Sequence, residues 1–262
     1  MTTDGIKLPA VVLAGAPATP EMVEKYSIEY RSDLPLAGKT MLRRVVDALA
    51  ASRSVGDVAI VGNTVCEGAS RNIPAAETLM ENLLNGVAAC APDSPNGRVM
   101  VVTSDIPLLT PAAVDDFVER CGDLTADFYY AIVSKKANDS RFPGMRRTYV
   151  QLKEGTYTGG NLMVVSGEFL AANGGRIREM LDARKSPVKL AGLVGFGVLC
   201  RAIAAQTFWP GALDVPMLEQ TVGRIFGGKL AAIDTPYTEL GADVDTAELV
   251  AFAEAARANL DA

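Results

Sequence analysis

The residues best suited to chemistry are acidic side chains and one lysine placed next to predicted strands and helices. Gly15 ends the first apolar run, Asp105 follows a later apolar run, and Asp243 and Asp245 follow the last predicted strand. Lys39 stands at the start of the first predicted helix. Backbone amides and lysine neutralise phosphate oxygens, whereas carboxylates bind hard cations such as Mg²⁺. Together these residue types indicate a site for a metal-bound polyphosphate.

The first half of the chain contains the elements that must position these groups, because apolar runs and helical patterns alternate there. Short apolar runs predict buried strands at Lys7–Ala14, Asp57–Gly62, Arg98–Thr103 and Phe128–Ser134. Helical spacing of apolar residues predicts helices from Thr40, from Leu79 and from the Thr110-Pro111 cap to Cys121. This order predicts a Rossmann-like α/β fold, with a mainly parallel twisted sheet flanked by helices. In such sheets ligands bind beyond the carboxyl ends of the strands.

The rest of the chain is less regular. A polar stretch from Ala16 to Gly38 is predicted to be a long functional or mobile loop. The predicted strands are Arg147–Lys153, Asn161–Val165 and Lys229–Asp234, and the predicted helices are Val215–Phe226 and Thr246–Asn259. No repeat, low-complexity tract or linker is visible, so we expect one domain over residues 1–262 with an irregular C-terminal half.

The composition excludes several classes of mechanism. The 262 residues include no histidine, which excludes Ser-His-Asp and Cys-His catalysis, histidine-ligated metal sites and imidazole as a general base. The cysteines form no C-x-x-C pair and are predicted to be reduced, mostly buried, structural thiols; they are Cys66, Cys90, Cys121 and Cys200.

Charge and hydropathy limit the partners. The net charge is −6 and the longest basic clusters are Lys135-Lys136 and Arg146-Arg147, so we expect no nucleic-acid partner. The longest apolar stretch, Leu190–Cys200, has eleven residues, whereas a membrane span needs about 20. The start Met1-Thr2-Thr3-Asp4 lacks the basic region of a secretory signal. We therefore expect a cytoplasmic protein that does not cross a membrane.

Five segments resemble one known family when they are taken in order. They are V-V-L-A-G (11–15), P-L-A-G-K-T-M-L (35–42), V-V-T-S-D-I-P-L-L-T (101–110), T-G-G-N-L (158–162) and D-V-D-T-A-E-L (243–249). The chain thereby resembles the MobA-like NTP transferases, nucleotidyltransferases with the glycosyltransferase-A-type fold of nucleotide-diphospho-sugar transferases. Each motif is weak alone, and their order and spacing carry the resemblance.

At the nucleotide end, the resemblance implies that Leu13, Ala14 and Gly15 line the nucleotide. Asn82, on the second predicted helix, would contact base or ribose. Lys39 would contact the phosphates or the acceptor as a catalytic residue.

At the metal and acceptor end, the resemblance implies that Asp105 is catalytic and binds Mg²⁺. Asp245, in preference to Asp243, would be the second metal ligand. Gly160 and Asn161 would face a small phosphorylated acceptor.

The chain departs from the family pattern after Gly15. The family usually continues with a further glycine-containing run and an arginine or lysine that holds the triphosphate. Here the loop Ala16–Pro20 has no basic residue, and its two prolines lack amide donors. Lys25, or alternatively Arg31, would have to substitute, and otherwise triphosphate binding is weakened.

Each candidate also has a purely structural interpretation. Asp105 is also suited to capping a turn before Ile106-Pro107, and Lys39 is also suited to being a solvated first-turn lysine. Asp243 and Asp245 suit an Asx turn and the N-cap of the last helix, and Thr158–Asn161 suits a plain turn between strands.

The sequence therefore predicts a Mg²⁺-dependent nucleotidyltransferase that moves NMP from an NTP to a phosphorylated small molecule and releases pyrophosphate. Two alternatives stay open: a sugar-nucleotide-dependent glycosyltransferase of related fold, and a nucleotide-binding relative without catalysis. The acceptor, the base preference and the oligomeric state are not determined by the sequence.

Overall fold

The fold is described from a computed structural model, which covers residues 5, 7–183, 201, 204–207 and 209–258. The strands are β1 (Leu8–Leu13), β2 (Pro35–Leu36), β3 (Lys39–Thr40), β4 (Val55–Val61), β5 (Arg71–Ile73), β6 (Arg98–Thr103), β7 (Phe128–Ser134), β8 (Val150–Leu152), β9 (Gly155–Ser166) and β10 (Leu230–Asp234). The helices are α1 (Pro20–Tyr26), α2 (Met41–Ala50), α3 (Leu79–Cys90), α4 (Pro111–Arg120), α5 (Lys135–Arg141), α6 (Gly167–Ala183), α7 (Val215–Phe226) and α8 (Ala247–Ala258).

The central sheet is mainly parallel. Its strands lie in the order β10-β7-β9-β6-β1-β4-β5, with β8 paired to β9 outside this row, and β2 and β3 form a separate hairpin. Strand β9 is antiparallel to β6 and β7, and the other pairs in the row are parallel. The predicted α/β fold with a mostly parallel sheet flanked by helices is therefore confirmed.

Residues of β1 alternate between two apolar clusters, one on each face of the sheet. Both faces therefore have apolar side chains that helices cover. Ala10 and Val12 belong to one cluster, which α2 and α4 complete with side chains such as Leu42 and Phe117. Val11 and Leu13 belong to the other, which α3, α6 and α7 complete. A continuous apolar run is typical of a strand buried on both faces.

Local sequence signals explain where the helices begin. The Thr40 and Thr110 side chains accept hydrogen bonds from backbone amides in the first turns of α2 and α4. Thr78 forms a capping box with Glu81 at the start of α3. Side-chain caps satisfy amides that the first turn leaves unpaired.

The structure differs from the sequence prediction in several places, among them β5, α5 and the β2–β3 hairpin, which were not predicted. The stretch from Ala16 to Gly38 contains helix α1, with Thr19 as its N-cap. Strand β9 extends the predicted strand back to Gly155, and β8 is shorter than predicted. Helix α6, with 17 residues, was not predicted. The apolar stretch at 190–200 lies outside the described residues.

No helix of the described residues is both long enough and apolar enough to span a membrane.

Helix α3 approaches the sheet closely at Gly86. A Cβ atom on Gly86 would lie 2.6 Å from Val11 Cγ1 and 2.8 Å from Val61 Cγ2, closer than carbon atoms pack. We expect Gly86→Ala to lower the free energy of unfolding by about 1–3 kcal/mol through overpacking. This loss outweighs the roughly 1 kcal/mol that alanine gains in helix propensity.

The matched control is Gly175→Ala on α6, because a Cβ atom there meets nothing within 4 Å. This change should stabilise the protein by about 0.5–1 kcal/mol. Urea denaturation of both variants measures the difference, and a stabilised Gly86→Ala protein would contradict the packing of α3.

Candidate active site

The carboxyl ends of the central strands form one edge of the sheet, called the rim below. Leu13 at the end of β1 pairs with Val61 of β4 on one side and with Thr103 of β6 on the other. The Ser104 amide donates to the Leu13 carbonyl (3.1 Å), and the Ala14 amide donates to the Val61 carbonyl (2.8 Å). The loops that follow these strands are thereby held close together.

Asp105 lies at this rim with its carboxylate directed towards polar groups. The Thr103 hydroxyl donates to Oδ1 (2.5 Å), and Oδ2 lies 3.7 Å from Arg31 Nη1. The side chain is 21% exposed, so a ligand can reach it from solvent. None of these contacts caps the turn before Ile106-Pro107, which is the structural alternative for this residue.

The second acidic segment meets Asp105 at the rim although it lies far away in the sequence. The Val244 amide donates to the Asp105 carbonyl (2.8 Å), so Asp243 and Asp245 flank a residue bonded to Asp105. Asp245 is exposed, and α8 begins only at Ala247, which leaves Asp245 outside the N-cap position. The tertiary structure therefore brings together two acidic segments that lie far apart in the sequence.

Arg147 lies among these carboxylates, and the sequence analysis did not assign it a role. Its Nη1 forms an ion pair with Asp243 Oδ1, and its side chain is only 13% exposed. Burial lowers the pKa of this guanidinium, while the negative charges of Asp245 and Asp105 act in the opposite direction. The charges of both predicted metal ligands, Asp105 and Asp245, therefore act on the Arg147 guanidinium. The pair Arg146-Arg147 was its only signal in the sequence.

Leu13, Ala14 and Gly15 occupy the rim mainly through their backbone. The side chains of Leu13 and Ala14 are buried in the core. Asn82 is buried against Gly15, since its Nδ2 would lie 3.1 Å from a Cβ atom there. Its Oδ1 accepts a hydrogen bond from the Ala76 amide (2.6 Å). Asn82 therefore supports the loop after β1, and its contact with base or ribose stays a prediction.

The altered loop after Gly15 is pinned to the chain that follows α1. The Arg31 amide donates to the Ala16 carbonyl (3.0 Å), and the Ala18 amide donates to the Glu29 carbonyl (2.9 Å). This backbone pairing places the Arg31 side chain next to the Asp105 carboxylate. Lys25 instead lies in the last turn of α1 with its Nζ 5.2 Å from the Tyr26 ring centroid. Of the two predicted substitutes, the structure places Arg31 at the rim.

We expect Arg31→Ala to lower kcat/KM for the nucleotide about 10- to 100-fold. Arg31 would donate a hydrogen bond to the charged triphosphate. Such a bond contributes about 1.5–3 kcal/mol, and each 1.4 kcal/mol corresponds to a factor of ten in kcat/KM. The matched control is Lys25→Ala, which should leave kcat/KM within about twofold of the unchanged protein. Steady-state pyrophosphate release measures both, and a larger loss in Lys25→Ala would reverse the assignment.

Lys39 is placed differently from the rim residues. Its Nζ forms an ion pair with Asp47 Oδ2 at 2.6 Å, and its side chain is 52% exposed. It lines a small pocket beside Thr110 and Pro111. Among the described residues, no hydrogen bond or ion pair joins Lys39 to Asp105 or to the 243–245 segment. The catalytic role of Lys39 stays a prediction. For that role, the Lys39 side chain would have to break its ion pair with Asp47.

Gly160 and Asn161 lie close to the acidic segment. Leu162 of β9 pairs with Val102 of β6, which sets Asn161 level with the end of β6. Asn161 Nδ2 lies 3.3 Å from Asp243 Oδ1. A Cβ atom on Gly160 would lie 2.8 Å from Ala131 Cβ, so this glycine also has a packing role. Acceptor binding by both residues stays a prediction.

The described cysteines have no feature of reactive thiols. Burial is the main cause that raises the pKa of Cys66, Cys90 and Cys121, which keeps them protonated. Cys200 lies outside the described residues.

Comparison with known proteins shows which family and fold this chain shares. The family model of the MobA-like NTP transferase domain matches residues 10–189. A hypothetical transferase from Thermus thermophilus is 32% identical, with a TM-score of 0.81, and the match covers 94% of this chain and all of that chain. No curated protein matches the chain significantly.

Two more distant structures share the fold at 11% identity and a TM-score of 0.59. One is CMP:2-keto-3-deoxy-manno-octonic acid synthetase complexed with CTP, with 97% of this chain and 99% of that chain covered. The other is 4-diphosphocytidyl-2C-methyl-D-erythritol synthase from Anaerococcus prevotii, with 99% and 100% covered. The chain therefore belongs to the MobA-like NTP transferase family and is an enzyme of the nucleotidyltransferase class.

Proposed function

We propose that this protein transfers NMP from an NTP to a phosphorylated small molecule. A phosphate oxygen of the acceptor attacks the α-phosphorus of the NTP in line. The bond between the α-phosphorus and the bridging oxygen breaks, and pyrophosphate leaves. A terminal phosphate is largely ionised at pH 7, so the acceptor needs no general base, and the absence of histidine is no obstacle.

One observation carries this proposal: the 243–245 segment is hydrogen-bonded to Asp105 at the rim (2.8 Å). Two acidic segments that lie far apart in the chain thereby meet at the place where open α/β sheets bind ligands. The combined charge of Asp105 and Asp245 acts on one guanidinium, that of Arg147.

These donors fit Mg²⁺. Magnesium prefers oxygen ligands and is usually held by one or two carboxylates together with substrate phosphates and water. Asp105 and Asp245 would offer such carboxylates, and substrate phosphates and water would have to supply the remaining ligands, because no three acidic, cysteine or histidine side chains among the described residues form a group that could hold a metal ion. When bound, Mg²⁺ would offset negative charge on the α-phosphate and on the departing pyrophosphate.

The remaining rim residues would bind and orient the substrates. The backbone of Ala14 and Gly15 would line the nucleotide, with Asn82 supporting the loop. Arg31, held beside Asp105, would neutralise the triphosphate in place of the basic residue missing from the loop. Asn161 would face the acceptor from β9. Phosphoryl transfer depends mainly on such positioning and charge neutralisation.

The test is a thermal-shift screen of the four NTPs with and without Mg²⁺, followed by assays of pyrophosphate release with phosphorylated acceptors. A nucleotide that binds only the native protein raises its melting temperature. We expect one or more NTPs to do so only with metal present. Transfer from a sugar nucleotide without pyrophosphate release would indicate a glycosyltransferase instead. Tight NTP binding without turnover across many acceptors would indicate a non-catalytic relative.

A further inference from the structure

A second cavity, called the side pocket below, lies between helix α7 and the face of the sheet formed by β7, β9 and β10. Its volume is about 340 Å³. This is within the range of small-molecule sites, which starts at about 300 Å³. None of the residues assigned above to nucleotide or metal lines this cavity.

The walls of the side pocket are apolar and aromatic. Phe128, Tyr130 and Tyr157 contribute rings, and α7 contributes aliphatic side chains such as Val222. The rings of Phe128 and Tyr130 stack with their centroids 6.1 Å apart. Glu219 also lines the cavity, and its carboxylate accepts a hydrogen bond from the Ala232 amide at 2.7 Å. The pocket thus suits an apolar group.

Gly159 connects the side pocket to the rim. It lines the pocket, and its carbonyl accepts a hydrogen bond from Arg147 Nη2 at 3.3 Å. A Cβ atom on Gly159 would collide with the Tyr130 hydroxyl, so only glycine lets this ring lie against the backbone. The positive charge of Arg147 also acts on Tyr130. Arg147 itself does not line the pocket, so a molecule in the pocket would have to extend past Gly159 to reach it.

We propose, on the basis of the function proposed above, that the side pocket binds the acceptor and that the acceptor is a phosphate monoester of an apolar alcohol. Arg147 binds the phosphate, and the apolar body lies against Tyr130, Tyr157 and Val222. A guanidinium offers paired donors to phosphate oxygens. The several hydroxyl groups of a sugar or alditol phosphate would lose water against these mainly apolar walls and would gain few partners there, which disfavours them.

The first test measures binding of linear alkyl phosphates to the full chain by titration calorimetry. Each buried methylene should raise the affinity about fourfold, so hexyl phosphate should bind far more tightly than ethyl phosphate. Glucose 6-phosphate should bind at least about tenfold more weakly than hexyl phosphate, and hexanol more weakly as well. Equal or tighter binding of glucose 6-phosphate would overturn the proposal.

Two variants locate the binding site. Ala232→Phe fills the side pocket and should remove the dependence of affinity on chain length, so that hexyl phosphate binds no more tightly than ethyl phosphate. The control is Gln220→Phe, on the exposed part of α7 outside this pocket. Arg147→Lys keeps the charge but loses the paired donors. Arg147→Lys should weaken the binding of every alkyl phosphate by a similar factor. It should preserve the increase in affinity with each added methylene. A gain per methylene that survives in Ala232→Phe would overturn the proposal.

The results separate this proposal from the proposed function. Pyrophosphate release with a sugar phosphate but not with alkyl phosphates would keep the function and overturn the acceptor class. Chain-length-dependent binding of alkyl phosphates in a protein that binds no NTP would support the side pocket and contradict the function.

Discussion

Replacing Asp105 by asparagine is expected to lower kcat/KM for pyrophosphate release by about a thousandfold or more. The change removes the negative charge but preserves the size of the side chain and its acceptor for the Thr103 hydroxyl. A metal ion contributes several kcal/mol of charge stabilisation in the transition state, and about 4 kcal/mol corresponds to a thousandfold.

The matched control is Asp93→Asn, because Asp93 forms an ion pair with Arg71 on the surface and is 50% exposed. Its kcat/KM should be unchanged. Thermal melting of both variants checks that the fold is intact. If Asp105→Asn keeps full turnover, the proposed mechanism does not depend on a metal bound by Asp105.

The same experiment distinguishes the two other acidic candidates. Asp245→Asn should lose activity nearly as strongly as Asp105→Asn if Asp245 is the second metal ligand. Asp243→Asn should then act more weakly, since Asp243 pairs with Arg147. If Asp243→Asn instead loses more activity than Asp245→Asn, Asp243 is the second metal ligand.

Replacing Arg147 by methionine is expected to lower the free energy of unfolding by about 3–5 kcal/mol. The side chains of Arg147 and Asp243 are 13% and 22% exposed, so removing the cation leaves a largely buried carboxylate without its partner. Breaking a buried ion pair from one side has a cost of this size, whereas removing both charges costs much less. The double variant Arg147→Met, Asp243→Asn should therefore recover much of the loss.

Urea denaturation of the single and double variants measures this coupling. The control is Arg71→Met, which breaks a half-exposed surface pair with Asp93 and an exposed hydrogen bond to the Ala89 carbonyl, and which should cost less than about 2 kcal/mol. If Arg147→Met is as stable as the control, the ion pair with Asp243 does not contribute to the native state.

The sequence by itself determined the local elements of the first half. Strand β6 and the start of α4 have the predicted bounds because an apolar run and the Thr110-Pro111 cap act over a few residues. Helix α1 was missed although Thr19-Pro20 supplies the same kind of signal, since the helix is short and lies in a polar stretch. Gly15 and Asp105 follow the ends of β1 and β6 as predicted, for the same local reason, and their roles in a site stay predictions.

Only the tertiary structure decided which distant residues meet. Strand β9 inserts antiparallel between β6 and β7, and the 243–245 segment folds back onto Asp105. Arg31 rather than Lys25 reaches the rim, and Arg147 joins the carboxylates from an irregular stretch before β8. The physical reason is that hydropathy and capping act between near neighbours in the chain. Strand partners, ion pairs and the side pocket depend on packing between segments whose separation no local pattern encodes.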